Sequence, residues 1–227
     1  MAKRPTREDQ HETESLPPHA GSLKTTTYLL SKGILLHRVH HEQYSAEQFN
    51  PGLQGNARFS PIQDPEGHPI PTIYAGITKN CAMMETIFHD VSFAAGLKTY
   101  DKSKFEGQVH STLEVLEELE LVDLASVALR KLGITRKQLI DTEKNQYPTT
   151  RQWAERFYEQ CPTAQGLTWI SRQDDTARAM MFFGDRITPQ SLGQTGESLS
   201  LINNTATYDD VLELAEKLGV LIVPGKY

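Results

Sequence analysis

The chain has 227 residues, of which 38% are hydrophobic, and a formal net charge of −6. That supplies the core of one domain, and the acidic balance argues against a broad nucleic-acid surface. Its two cysteines, Cys81 and Cys161, form neither a disulfide framework nor a zinc spacing, and without a signal-peptide core or an apolar run of about 18 residues a soluble cytoplasmic protein with no membrane partner is expected.

Residues 1–22 are polar, charged and proline-bearing (Pro5, Pro17, Pro18), a composition that predicts a disordered extension, leaving 23–227 as a single domain. The apolar run Ile34–Val39 predicts the first strand, and the glycine- and proline-rich stretch from Phe49 to Pro61 an ordered loop. Pro71–Gly76 reads as a short strand. Thr78 is a good N-cap for a helix over about 79–90, on which Cys81, Met84, Glu85 and Phe88 share one face. Residues 110–124 alternate loosely and predict one or two strands. Helical patches follow at 127–132 and 135–140, and Pro148-Thr149-Thr150 opens a helix over 151–160. Leu167–Ser171 and Ala179–Phe183 form a strand pair joined by a polar turn. Thr207 with Asp210 resembles a capping box for a last helix, with Val211, Leu214, Ala215 and Leu218 facing inward. Strands and helices mix without strict alternation, which predicts an α+β fold.

Four polar residues, Arg38, Arg58, Glu85 and Ser171, sit in segments whose neighbours ask for apolar side chains, and with Tyr74 they are the most informative positions of the chain. Charged groups are rarely buried unless a partner or a function holds them, so Glu85, projecting from an apolar helix face beside the strand of Tyr74, reads as a positioned carboxylate. His37, His40, His41 and His89 raise the question of a metal. Strand alternation sends His37 and His41 to one face and His40 to the other, no metal-binding signature is present, and no metal is expected. Gly52 and Gly55 belong to no Walker or Rossmann fingerprint.

In chain order, Leu36-His37-Arg38-Val39, Phe49-Asn50-Pro51-Gly52, Arg58-Phe59-Ser60-Pro61, Ile73-Tyr74-Ala75-Gly76, Glu85-Thr86-Ile87-Phe88-His89-Asp90, Trp169-Ile170-Ser171 and Phe182-Phe183-Gly184-Asp185 resemble the RES domain, a bacterial family named for its arginine, glutamate and serine. The resemblance runs from about Gly33 to Arg186. One departure is Phe59, where many members carry tryptophan after the arginine.

The resemblance implies an ADP-ribosyltransferase-like mixed sheet core with flanking helices, and destruction of NAD as a substrate, by an NAD glycohydrolase or an NAD phosphorylase. No resident cofactor is implied, only inorganic phosphate as a candidate co-substrate. It also implies the toxin of a toxin–antitoxin pair, neutralised by an Xre-type helix-turn-helix antitoxin. Glu85 would stabilise the positive charge that develops on the ribose. Arg38 and Arg58 suit the pyrophosphate, and either could hold a ribose hydroxyl or an incoming phosphate. Tyr74 offers a π face to the cationic nicotinamide ring. Ser171 would bond the nicotinamide amide, a ribose hydroxyl or the attacking water. Transfer of ADP-ribose to a macromolecule and a non-catalytic partner-binding module are the alternatives, and a homodimer is a further expectation.

Overall fold

The structure, a computed structural model, describes Pro18, residues 21–92 and residues 94–225. The expectation of a disordered extension over 1–22 falls outside these residues except at Pro18, Gly21 and Ser22. Twelve strands are present among the described residues: β1 (Thr27–Leu30), β2 (Leu35–His41), β3 (Ile62–Gln63), β4 (Pro69–Ile70), β5 (Thr72–Gly76), β6 (Lys98–Asp101), β7 (Gln108–Val115), β8 (Leu119–Asp123), β9 (Gly166–Ile170), β10 (Arg178–Phe183), β11 (Leu192–Ser200) and β12 (Val220–Val223). The α-helices are α1 (Lys79–Thr86), α2 (Ser126–Leu132), α3 (Arg136–Leu139), α4 (Tyr147–Gln160) and α5 (Thr205–Lys217).

Eight strands form one sheet in the order β1-β8-β9-β10-β5-β2-β7-β11. Every neighbouring pair is antiparallel except β8 with β9. This is the expected α+β arrangement, a mixed sheet with flanking helices. One apolar cluster unites Leu30, Leu119 and Leu121 from one border of the sheet with Leu113, Val115 and Leu192 from the other. The sheet is therefore curled, and its two borders close over a shared core. The alternation of β10 makes both faces apolar: Met180 and Phe182 enter that core, while Ala179, Met181 and Phe183 join Trp169, Trp153 and Phe157 beneath α2, α3 and α4. A third cluster joins Val39 to Ala82, Met83 and Met84 of α1 and to Val211, Leu214 and Ala215 of α5.

Three local expectations change. Helix α1 ends at Thr86 rather than near Asp90, because Ile87 and Phe88 both donate to the Met83 carbonyl, at 2.8 and 3.1 Å, and side chains take the next carbonyls: Tyr100 donates to Ile87 O at 2.6 Å and Gln173 to His89 O at 2.9 Å. With those acceptors occupied, no further helical turn forms. At α5 the cap is Asn204, which accepts from the Thr207 amide at 3.0 Å. Thr207 lies inside the helix, and Asp210 forms an ion pair with Lys79 at 2.5 Å instead of closing a capping box. Helix α4 starts at Tyr147, four residues earlier than expected, with Pro148 in its first turn, where a missing N–H costs nothing. Strands β1, β3, β4, β6, β11 and β12 have no counterpart among the sequence expectations.

One pairing decides where a site can form. Strands β2 and β5 share a single ladder position, His37 opposite Gly76. Gly76 is also where α1 presses on the sheet: a Cβ there would meet Cys81 Sγ at 2.9 Å and the Ala82 amide nitrogen at 3.1 Å. Gly76→Ala is expected to lower stability by about 1–3 kcal/mol through this overpacking. A urea midpoint equal to that of the unaltered protein would contradict the tight approach of α1.

Candidate active site

Beyond His37 and Gly76 the two strands part. The gap is bridged again at its far end, where Asn50 and Thr72 exchange backbone hydrogen bonds of 2.8 and 3.1 Å. Between these two closures lies a cavity of about 430 Å³, within the range of small-ligand sites. Arg38 reaches it from β2, Arg58 from the loop before β3, Tyr74 from β5 and Glu85 from α1. Tyr147 and Trp169 complete its inner wall.

Glu85 comes from the last turn of α1, whose first turn is capped by Thr78 accepting from the Cys81 amide at 3.0 Å. Its Oε1 accepts from Ser171 Oγ at 2.6 Å. Ser171 is fully buried, just past the end of β9, and its Oγ accepts from the amides of Gln173 and Asp174, each at 3.0 Å. Those two donors fill the oxygen's lone pairs, and its single proton goes to Glu85. Ser171 thus stands behind Glu85 and is not among the residues lining the cavity. The other carboxylate oxygen, Oε2, faces Arg58 Nη1 at 3.9 Å.

Arg58 is buried at 4% exposure and framed by residues that the sequence reading did not single out. Its Nε donates to Thr142 Oγ1 at 3.3 Å, its guanidinium carbon lies 5.7 Å from the centre of the Tyr147 ring, and its carbonyl accepts from the Thr150 hydroxyl. Nη2 is buried without a hydrogen-bond partner among the described residues, and so is Trp169 Nε1. Each unsatisfied buried donor costs about 1–3 kcal/mol. Arg38 is anchored by Nη1, which donates to the carbonyls of Ser45 at 3.2 Å and Ala46 at 2.5 Å. Desolvation lowers its pKa to about 10, so it remains a cation at neutral pH.

Tyr74 accepts from the Phe59 amide at 3.3 Å and meets Trp169 edge to face, with centroids 6.2 Å apart. Burial raises its pKa to about 12, so the phenol stays protonated. Phe59 also packs edge-on against Trp169, at 5.0 Å. The aromatic that follows Arg58 therefore serves as a wedge under the arginine loop. Arg38, Arg58, Tyr74 and Glu85, spread over 48 positions of sequence from Arg38 to Glu85, share one cavity, and Ser171 reaches it through Glu85.

The histidines of β2 point apart. His37 Nδ1 is 2.9 Å from His110 Nε2 in a stacked pair, whereas His40 bonds Ser111 at 2.8 Å on the opposite face. Among the described residues no group of three His, Cys, Asp or Glu could hold a metal ion.

Removing the Ser171 hydroxyl takes a hydrogen bond from a carboxylate and an acceptor from two amides. Ser171→Ala is expected to cost about 1.5–3 kcal/mol in denaturant unfolding; an unchanged midpoint would deny the bond. A second expectation concerns acid. Burial and then His37 pull the His110 pKa from 6.5 to about 4. The folded value lies below the unfolded one, so the unfolded chain binds the extra proton. The contribution, up to about 3 kcal/mol, is complete above pH 6.5 and is lost as pH falls toward 4. Unfolding measured across this window should show a shallower fall in His110→Phe than in the unaltered protein; parallel curves would refute it.

A search of curated proteins finds no match. Among solved structures, a chain of the M. tuberculosis MbcT-MbcA toxin–antitoxin complex aligns with a TM-score of 0.55 at 15% identity, covering 80% of this chain and 90% of that chain; at this identity the likeness is one of fold. No described helix is long and apolar enough to cross a membrane. The family model of the RES domain matches residues 35–198, a span that holds the whole cleft and the serine behind it, and the chain belongs to the RES domain family.

Proposed function

We propose that this chain is an enzyme that consumes NAD by cleaving the bond between nicotinamide and ribose, and that it acts in the cytoplasm as the toxin of a toxin–antitoxin pair. The observation that carries the reading is the state of Glu85: one oxygen is bound by the Ser171 hydroxyl, the other faces Arg58 at 3.9 Å, and the residue lines a cavity that two guanidinium groups also reach.

Cleavage releases a neutral nicotinamide from a cationic one, so the leaving group needs no proton. The demand falls on the ribose, which acquires oxocarbenium character. A carboxylate fixed in advance beside the ribose answers it, because it reorganises little as charge develops. Ser171 keeps Glu85 in one rotamer for this task. Arg38 and Arg58 would take the pyrophosphate. Arg58 Nη2 and Trp169 Nε1 support this assignment, since both are donors without an acceptor and an anionic dinucleotide supplies acceptors. Tyr74 would stack against the nicotinamide ring, with its hydroxyl anchored on the arginine loop. NAD is read here as a substrate, with no resident cofactor, and water or inorganic phosphate is the acceptor. The toxin–antitoxin reading follows from family membership and from the fold likeness to a chain of a toxin–antitoxin complex. It includes a helix-turn-helix antitoxin of Xre type as partner and a homodimer as the assembly.

Purified protein incubated with NAD should release nicotinamide. Glu85→Gln keeps an acceptor for Ser171 and loses the charge, so its kcat should fall by about 10²–10³ while binding of NAD persists in calorimetry. Full activity in that variant would reject the assignment of Glu85, and an ADP-ribose label appearing on protein would mark a transferase instead. Expression in a bacterial host should arrest growth, with relief by a neighbouring antitoxin gene; arrest that no neighbouring gene relieves would count against a paired toxin.

A further inference from the structure

Two residues that the preceding reading leaves unused, His89 and Asp90, form a hydrogen-bonded chain with the Tyr147 hydroxyl along one wall of the cavity. His89 Nδ1 is 2.9 Å from Asp90 Oδ1, and His89 Nε2 is 3.0 Å from the Tyr147 hydroxyl. All three residues line the cavity. A carboxylate only accepts, so the Nδ1 atom carries the imidazole proton, and Nε2 is left to accept from the tyrosine. Asp90 is exposed and is held by Lys144 at 2.6 Å, so one end of the chain meets solvent. At the other end Tyr147 is buried beside Arg58.

We propose that Asp90, His89 and Tyr147 form the relay that removes the proton from a water attacking the ribose, and that water is therefore the acceptor at this site. The inference rests on the proposed cleavage of NAD. The C1′–nitrogen bond breaks and its electron pair leaves with nicotinamide. The bond from water oxygen to C1′ forms. The water proton passes to Tyr147 Oη as the tyrosine proton passes to His89 Nε2, and the resulting imidazolium is held by Asp90 until it releases the proton to solvent. Burial raises the pKa of Tyr147, which disfavours a free tyrosinate and couples the two transfers.

Glu85 is poorly placed to do this work as well, because it holds the Ser171 proton and faces Arg58. The relay is of use to water alone. Phosphate at neutral pH already presents an oxygen without a proton, and a phosphate acceptor would leave this chain without a task. The charged groups facing the relay are Asp90 beside the imidazole, Lys144 of the turn before α4, which pairs with Asp90, and Arg58, Arg172 and Glu85, which act on the Tyr147 phenol. Protonating the imidazole in advance removes the acceptor for the tyrosine proton, so turnover should fall on the acid side.

The test measures nicotinamide and the ribosyl product, in phosphate-free buffer and in phosphate, across pH. The unaltered protein should yield free ADP-ribose without phosphate. His89→Gln and Tyr147→Phe should each lower kcat by about 10² or more, leave KM within a few-fold, and lose the acid limb of the rate profile. NAD affinity measured by calorimetry should persist in both variants, which separates a lost relay from a lost fold. An absolute requirement for phosphate, or variants with unchanged kcat and pH profile, would overturn the relay while leaving NAD cleavage intact. An unaltered protein that releases no nicotinamide in either buffer would overturn the cleavage reading and the relay with it.

Discussion

Two strands that begin as neighbours and then part create the cleft of this molecule. A continuous ladder between β2 and β5 would satisfy their backbones and leave no room for a ligand. Here one pairing at Gly76 and a return pairing at Asn50 hold the ends together, and the backbone between them opens on a cavity. The curled sheet makes this opening affordable: β2 is secured along its length by β7, and β5 by β10. Each strand loses one neighbour and keeps another, so the cleft costs little in unpaired backbone groups.

The charged groups in the cleft are fixed by neutral ones. Glu85 depends on a serine whose remaining hydrogen-bonding capacity is filled by two amides, and Arg58 depends on two threonines and a tyrosine ring. Pairing Glu85 closely with Arg58 would neutralise both. At 3.9 Å the pair is only loosely joined, and each group keeps a side free for a ligand of the opposite charge. Such an arrangement trades stability for readiness, as functional sites commonly do.

Much of this was legible in the sequence, and the limits have physical causes. Arg38 and Glu85 stand out because a charge in an apolar run demands an explanation. The Thr78 cap and the β9–β10 pair follow local rules, and local rules held there. The end of α1 was missed because its terminating donors, from Tyr100 and Gln173, are distant in the chain. Asn204 was overlooked as a cap because Thr207 with Asp210 mimicked a capping box, and only the contact with Lys79 shows where Asp210 is used. The frame around Arg58 was invisible for a related reason: Thr142 in the connection before α4, and Tyr147 and Thr150 in its first turn, are ordinary residues whose role exists only after α4 docks. Edge strands β1 and β11 carry too few apolar residues at period two to announce themselves.

The route of the chain through the cleft has a consequence for synthesis. The first arginine is Arg38, the clamp on the second arginine arrives with residues 142–150, and the serine that steadies the carboxylate is Ser171. Emerging from a ribosome, the polypeptide has no complete cleft until three-quarters of its length is made, and the border strand β11, which helps enclose the central core through Leu192, follows later still. Prematurely terminated translation products should therefore lack the assembled cleft.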